Sequence, residues 1–137
     1  MIYFTRSSWD RRNPLSATVF KPEPFKPAVS KAALDALDIR VGRIEAVDEM
    51  AGADRLVALR VYFGDHRRIV VAGIKRERRD LAALVGRQAL FVVNMEPRRV
   101  RGVLSEGMLF DIGFDDGVVP VLAVPEAEVP NGVTEIV

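Results

Sequence analysis

Residues 56–74 read LVALRVYFGDHRRIVVAGI, and this stretch decides the fold. Val57, Leu59, Val61 and Phe63 alternate with Leu56, Ala58, Arg60 and Tyr62, the period of two that sends successive side chains to opposite faces of a strand. Gly64-Asp65 then interrupts the run, and residues 68–74 return as a second apolar stretch, which predicts a β-hairpin. Upstream, Ile39, Val41, Ile44 and Val47 interleave with Arg40, Arg43 and Glu45. That is a further strand, in which Gly42 is expected to mark a bulge or bend, followed by a turn at residues 51–54. Before it, Ser30 is placed to cap a short helix over residues 31–37. Downstream, residues 76–85 predict a short helix that stops at Gly86, and residues 88–94 form a run apolar on both faces. Two more strands are expected over residues 103–112 and 118–124, around the turn signal Asp115-Asp116-Gly117. Pro130-Asn131-Gly132 leads into a last extended piece.

Five or more strands with a short helix between the third and the fourth is the order of an OB-fold. The expected class is therefore all-β with a short helix, a five-stranded OB-fold barrel carrying N-terminal and C-terminal extensions. A chain of 137 residues, 49% of them apolar, suits one such core. Residues 1–29 stand apart as a basic arm punctuated by Pro14, Pro22, Pro24 and Pro27, which oppose regular structure, whereas residues 30–137 are the OB-fold domain. Phe4, Trp9, Phe20 and Phe25 are costly to leave in water, so some of them are expected to dock on the body or on a partner subunit.

Several chemistries are excluded at this stage. With no cysteine there is no disulfide, thiol nucleophile or cysteine-held metal. No apolar run reaches the ~20 residues of a membrane span, and no signal peptide is evident, so a cytoplasmic protein without a membrane partner is expected. Ser105 has Glu106 beside it but no histidine at a useful spacing, and no glycine-rich phosphate loop appears, which argues against an enzyme and against a bound cofactor. The lone His66 falls in a hairpin turn, where a plain surface role is favoured.

The net charge of +1 conceals a segregated pattern. Arg67, Arg68, Lys75, Arg76, Arg78, Arg79, Arg87, Arg98, Arg99 and Arg101 crowd one stretch, and beyond Arg101 there is no lysine or arginine while acidic residues continue. A basic face suited to a polyanion follows. Its densest part lies in residues 92–109, VVNMEPRRVRGVLSEGML. Pro97 and Gly102 bracket Arg98, Arg99 and Arg101, guanidinium groups that fork onto phosphate or stack on bases. Asn94 and Ser105 on the flanking strands add short hydrogen-bonding groups suited to base edges or a ribose hydroxyl, and Met108 offers a soft apolar surface. The competing reading is a solvated hairpin whose charges only discourage edge pairing. Lys75 and Arg76, with Arg78 and Arg79, form a second cluster at the expected helix start, either an extension of the track or a solvated helix end. Phe91, Phe110 and Phe114 read as core residues rather than stacking platforms.

In order and spacing, Asp38-Ile39-Arg40-Val41-Gly42-Arg43-Ile44, Ala53-Asp54-Arg55-Leu56, Val71-Ala72-Gly73-Ile74, the run from Val93-Asn94 to Arg101-Gly102, and Ser105-Glu106-Gly107-Met108 resemble the tRNA-binding domain shared by CsaA-type proteins, the C-terminal extension of bacterial methionyl-tRNA synthetases and the endothelial-monocyte-activating polypeptide. The resemblance covers residues 33–137. It implies an OB-fold homodimer that binds tRNA or similarly structured RNA and, for the CsaA type, an export-related chaperone that takes unfolded or precursor polypeptides. The family's site elements fall on Asn94, Arg99, Arg101-Gly102, Ser105 and Met108. Three positions depart from its pattern: Glu96 stands where a lysine is usual, Met50-Ala51-Gly52 where His-Pro-x precedes Ala-Asp, and Ala72 where serine is frequent. Non-catalytic RNA binding through residues 94–108 is the leading reading, with a peptide-binding chaperone as the alternative.

Overall fold

A computed structural model describes residues 20–135. The arm's Phe4, Trp9 and Pro14 lie outside them, and residues 20–29 run without regular structure, Phe25 wholly exposed. The described residues fall into two compact units.

In the larger unit, residues 29–110 and 122–135, the short helix α1 (Lys31–Asp35) opens the chain; Ser30 caps it by accepting from the Ala33 amide at 3.1 Å. It stops short of Leu37, where the composition would carry it. There follow β1 (Ile39–Glu49), β2 (Val57–Tyr62), β3 (Arg67–Ala72), β4 (Gln88–Val92), β5 (Arg98–Val100), β6 (Val103–Ser105) and β7 (Met108–Leu109). One curled antiparallel sheet runs in the order β3-β2-β1-β4-β7, the OB-like arrangement. β5 and β6 form a separate hairpin. After the last strands residues 132–135 return alongside β1, where Val41 donates to Val133 and Glu135 to Ile39.

The bulge in β1 is not at Gly42. The register slips between Ile44 and Ala46, so Glu45 is the extra residue. Gly42 serves a different need: a Cβ there would lie 2.5 Å from Val61 Cγ1 and 2.7 Å from Phe63 Cε1, so the Phe63 ring occupies the space a side chain would take. Period-two alternation sorts β2 cleanly. Val57, Leu59 and Val61 enter the main core with Ile44, Val70 and Phe91, all six fully buried. Each such side chain contributes about 1.5–3 kcal/mol. The other face of β2 and β3 carries a smaller cluster of Met50, Ala53, Ala58 and Val71, against which Leu56, Ile69, Val100 and Val103 pack.

The connection between β3 and β4 is not the helix expected from residue 76. Residues 75–77 are a turn, and a single 3₁₀ turn (Leu81–Leu84) follows, capped by Asp80. Leu84 alone of that turn is buried. Residues 103–112, expected as one strand, are broken because Glu106 turns away to donate to the Ile69 carbonyl before β7 rejoins β4.

The smaller unit contains residues 20–28 and 111–121. There β8 (Asp111–Ile112) is followed by a 3₁₀ turn (Phe114–Asp116), and β9 (Val121–Leu122) begins on the last residue of this unit. Phe114 begins that turn half exposed and is not a core residue, unlike Phe91.

Candidate nucleic-acid interface

The basic hairpin owes its shape to its two-residue tip. Arg98 pairs with Ser105, Arg99 with Leu104 and Val100 with Val103, leaving Arg101-Gly102 to reverse the chain. Arg101 has φ 49° and Gly102 φ 83°, the pair of left-handed residues of a type I′ turn. Glycine adopts this freely, whereas an arginine does so at a cost of about 1–2 kcal/mol. Arg101 is the one non-glycine residue with positive φ among those described. Its guanidinium lies over the β1–β2 turn, 3.5 Å from where a Cβ on Gly52 would be. Two open grooves meet at this side chain, one of about 510 Å³ with Asp54, Arg55 and Gly73 and one of about 440 Å³ with Glu49, Met50 and Val103.

Alternation then divides the hairpin by face. Val100 and Val103 pack down on the small cluster, while Arg99 and Leu104 point away. Arg98, Arg99 and Arg101 are all exposed, and among the described residues none forms an ion pair; Arg99 only donates to the Gly102 carbonyl at 3.2 Å. Met108 is 46% exposed, near Met95 and Leu104 in sequence and similarly open.

Ser105 does not join this surface, and Asn94, though exposed, is bonded to backbone. Asn94 Oδ1 accepts from the Asp38 amide and its Nδ2 donates to the Ala36 carbonyl, both at 2.8 Å, so the side chain fastens the start of the hairpin to the end of α1. Ser105 is 2% exposed and accepts from the Val71 amide at 3.0 Å. Both polar atoms of the Asn94 amide and the serine hydroxyl oxygen are thus engaged within the protein. Short polar side chains at strand ends readily find such backbone partners. Glu96 is exposed just before β5.

The second cluster is dispersed. Lys75 Nζ donates to the Ala53 carbonyl at 3.1 Å and pairs with Glu49 at 2.8 Å, bracing the β1–β2 turn, and only Arg76 and Arg79 lie in solvent. Glu77 and Arg78 pair at 3.2 Å with 9% and 13% of their side chains exposed. Away from the hairpin, Arg67 lies 4.6 Å over the Tyr62 ring and binds Glu45 at 2.6 Å, a hydrogen bond that holds the glutamate below its ordinary carboxylate range. His66 sits in the β2–β3 turn as expected, 2.6 Å from Asp65, and its ring lowers that carboxyl in the same way. Among the described residues no three His, Asp or Glu side chains are grouped to hold a metal.

The family model described as "Putative tRNA binding domain" matches residues 39–134, from the first residue of β1 to the strand that returns beside it. The chain belongs to that family. It is 41% identical to a methionine–tRNA ligase of Thermococcus kodakarensis over 96 residues, 70% of this chain and 13% of the ligase. With the ligase of Chlorobium chlorochromatii it shares 38% over 108 residues, 79% of this chain and 15% of the ligase. The chain therefore spans only a small part of these relatives. Among solved structures, the MetRS related protein from Pyrococcus horikoshii superposes with a TM-score of 0.74 at 28% identity, covering 81% of this chain and 100% of that one. The CsaA chaperone protein from Picrophilus torridus gives 0.69 at 26% identity, covering 80% and 100%. The tRNA-binding domain thus carries an OB-like fold whose β5–β6 hairpin leaves three arginines exposed.

Proposed function

We propose that this tRNA-binding domain contacts structured RNA through Arg98, Arg99 and Arg101 of the β5–β6 hairpin, with Met108 offering an apolar surface to a base. One observation supports the reading: the three guanidinium groups stand exposed and outside any ion pair among the described residues, while Ser105 of the same motif is buried and the exposed Asn94 amide is bonded to backbone. A rigid turn presenting free cations suits a phosphate backbone, because ordering is complete before binding. Arg76 and Arg79 extend the positive surface, whereas Lys75, already committed to Glu49, does not.

Filter binding with bulk tRNA tests this. The Arg99→Ala, Arg101→Ala double variant is expected to bind at least tenfold more weakly and to lower the slope of log affinity against log salt by about 1–2, one unit for each phosphate no longer neutralised, while melting like the parent. Unchanged affinity would refute the assignment. A second reading is supported by the exposed Met95, Leu104 and Met108 and by the two CsaA chaperones among the structural neighbours: a homodimer that holds unfolded polypeptide on the same face. Suppression of client aggregation at stoichiometric protein, together with a dimer mass by light scattering, would favour it. Failure of both measurements removes it.

A further inference from the structure

Alternation along β3 places Arg68 on the inward side, opposite Val61, where a strand of this pattern would carry an apolar residue. Its stem is half-buried, and among the described residues no carboxylate partners its charge. The guanidinium finds carbonyl oxygens instead. Nη1 donates to Val93 O at 2.6 Å and to Glu106 O at 3.3 Å, and Nε donates to His66 Nε2 at 3.2 Å. Val93 is the last residue before the basic hairpin segment and Glu106 the first after it. A single side chain therefore holds both ends of the segment that carries Arg98, Arg99 and Arg101, and ties them to the start of β3.

The remaining fastenings are neutral: Asn94 to α1, Ser105 to the Val71 amide, Glu106 to the Ile69 carbonyl. Beneath the hairpin lies only the small cluster with two alanines, Ala53 and Ala58. Hydrogen bonds from a charged donor are roughly twice as strong as neutral ones. Leaving a half-buried cation without a carboxylate is costly unless its donors are used.

We infer that Arg68 is the positioning residue of the hairpin: it touches no RNA, and it fixes the direction in which the three exposed arginines point. The consequence for affinity rests on the RNA-binding reading above; the anchoring of the hairpin does not. Arg68 lines a small cavity of about 90 Å³ with Asp38, Arg40, Phe63, His66 and Val93, a space smaller than the clefts that hold ligands.

The test compares Arg68→Met with Arg67→Met, which removes the same charge one residue away, where it faces Tyr62 and Glu45. Backbone hydrogen exchange is read first. R68M is expected to speed exchange of the amides of residues 98–105 while the amides of β1, β2 and β4 keep their protection; R67M is expected to leave both unchanged. tRNA titration follows, with R68M binding roughly tenfold more weakly at an unchanged salt slope. Unaltered hairpin exchange in R68M overturns the inference whatever the RNA result. Equal losses of affinity in R68M and R67M, or a salt slope lowered by a full unit in R68M, also overturn it. If the parent protein itself fails to bind tRNA, the RNA reading falls while the exchange data still decide the anchoring. Should R68M not fold, Arg68→Lys takes its place: it keeps the charge on a single-headed donor, and faster hairpin exchange supports the role, whereas parental exchange refutes it.

Discussion

The two faces of the β2–β3 hairpin make an instructive contrast. One, with Phe63 of its own turn, meets Ile44, Leu84 and Phe91 from three other segments and closes the main core with large side chains at zero or near-zero exposure. The other meets only Met50 and Ala53 and the underside of the basic hairpin, through Val100 and Val103. The first supplies apolar area enough to set the fold. The second is thin, so the hairpin depends on polar fastenings from Arg68, Asn94 and Ser105 to keep its place. Global stability and the aim of the outward arginines are thereby assigned to different sets of residues, and each set can be broken separately.

The largest effect is expected in the main core. Phe91→Ala empties a fully buried ring and should cost about 3–5 kcal/mol in urea denaturation. A loss under about 1 kcal/mol would show that the main cluster is not the frame. Ser105→Ala acts on the other side: it leaves the Val71 amide without its acceptor in a buried place, for an expected loss of about 1–3 kcal/mol. It should also weaken tRNA binding without changing the salt slope, since the hydroxyl is turned into the protein. Normal stability combined with impaired binding would instead place the hydroxyl at the RNA. The smallest effect belongs to the exposed rim. Arg67 lowers the pKa of Glu45 in the folded chain, so the pair stabilises above the ordinary carboxylate range and loses that contribution as pH falls through the depressed value. Glu45→Gln should lower the melting temperature slightly at neutral pH and leave it unmoved below the depressed value, so that the acid side of the plot against pH flattens. A curve identical to the parent's would show that the pair contributes nothing.

Much of this architecture is legible in the chain. The alternation of β2, the Gly64-Asp65 reversal and the Ser30 cap follow from local stereochemistry, and each lies where the sequence puts it. Errors collect where a distant partner decides. Gly42 looks like a bulge, yet its lack of a side chain answers to Phe63 across the sheet. Lys75 looks free until Glu49 is seen beside it, and cations taken for a helix start lie in a turn because only four residues, from Leu81, complete a helical turn.

What the sequence by itself determined is the strand periodicity, the turn chemistry and the segregation of arginines into one stretch, all set by neighbours within a few residues. Only the tertiary structure decided which polar groups of the motif stand in solvent and which hold the motif in place. Arg68 reaches carbonyls 25 and 38 residues away, Ser105 an amide 34 away, and Asn94 two groups 56 and 58 away. A hydrogen bond of this kind depends on direction and on a few tenths of an ångström. No local pattern fixes either until the sheet has closed.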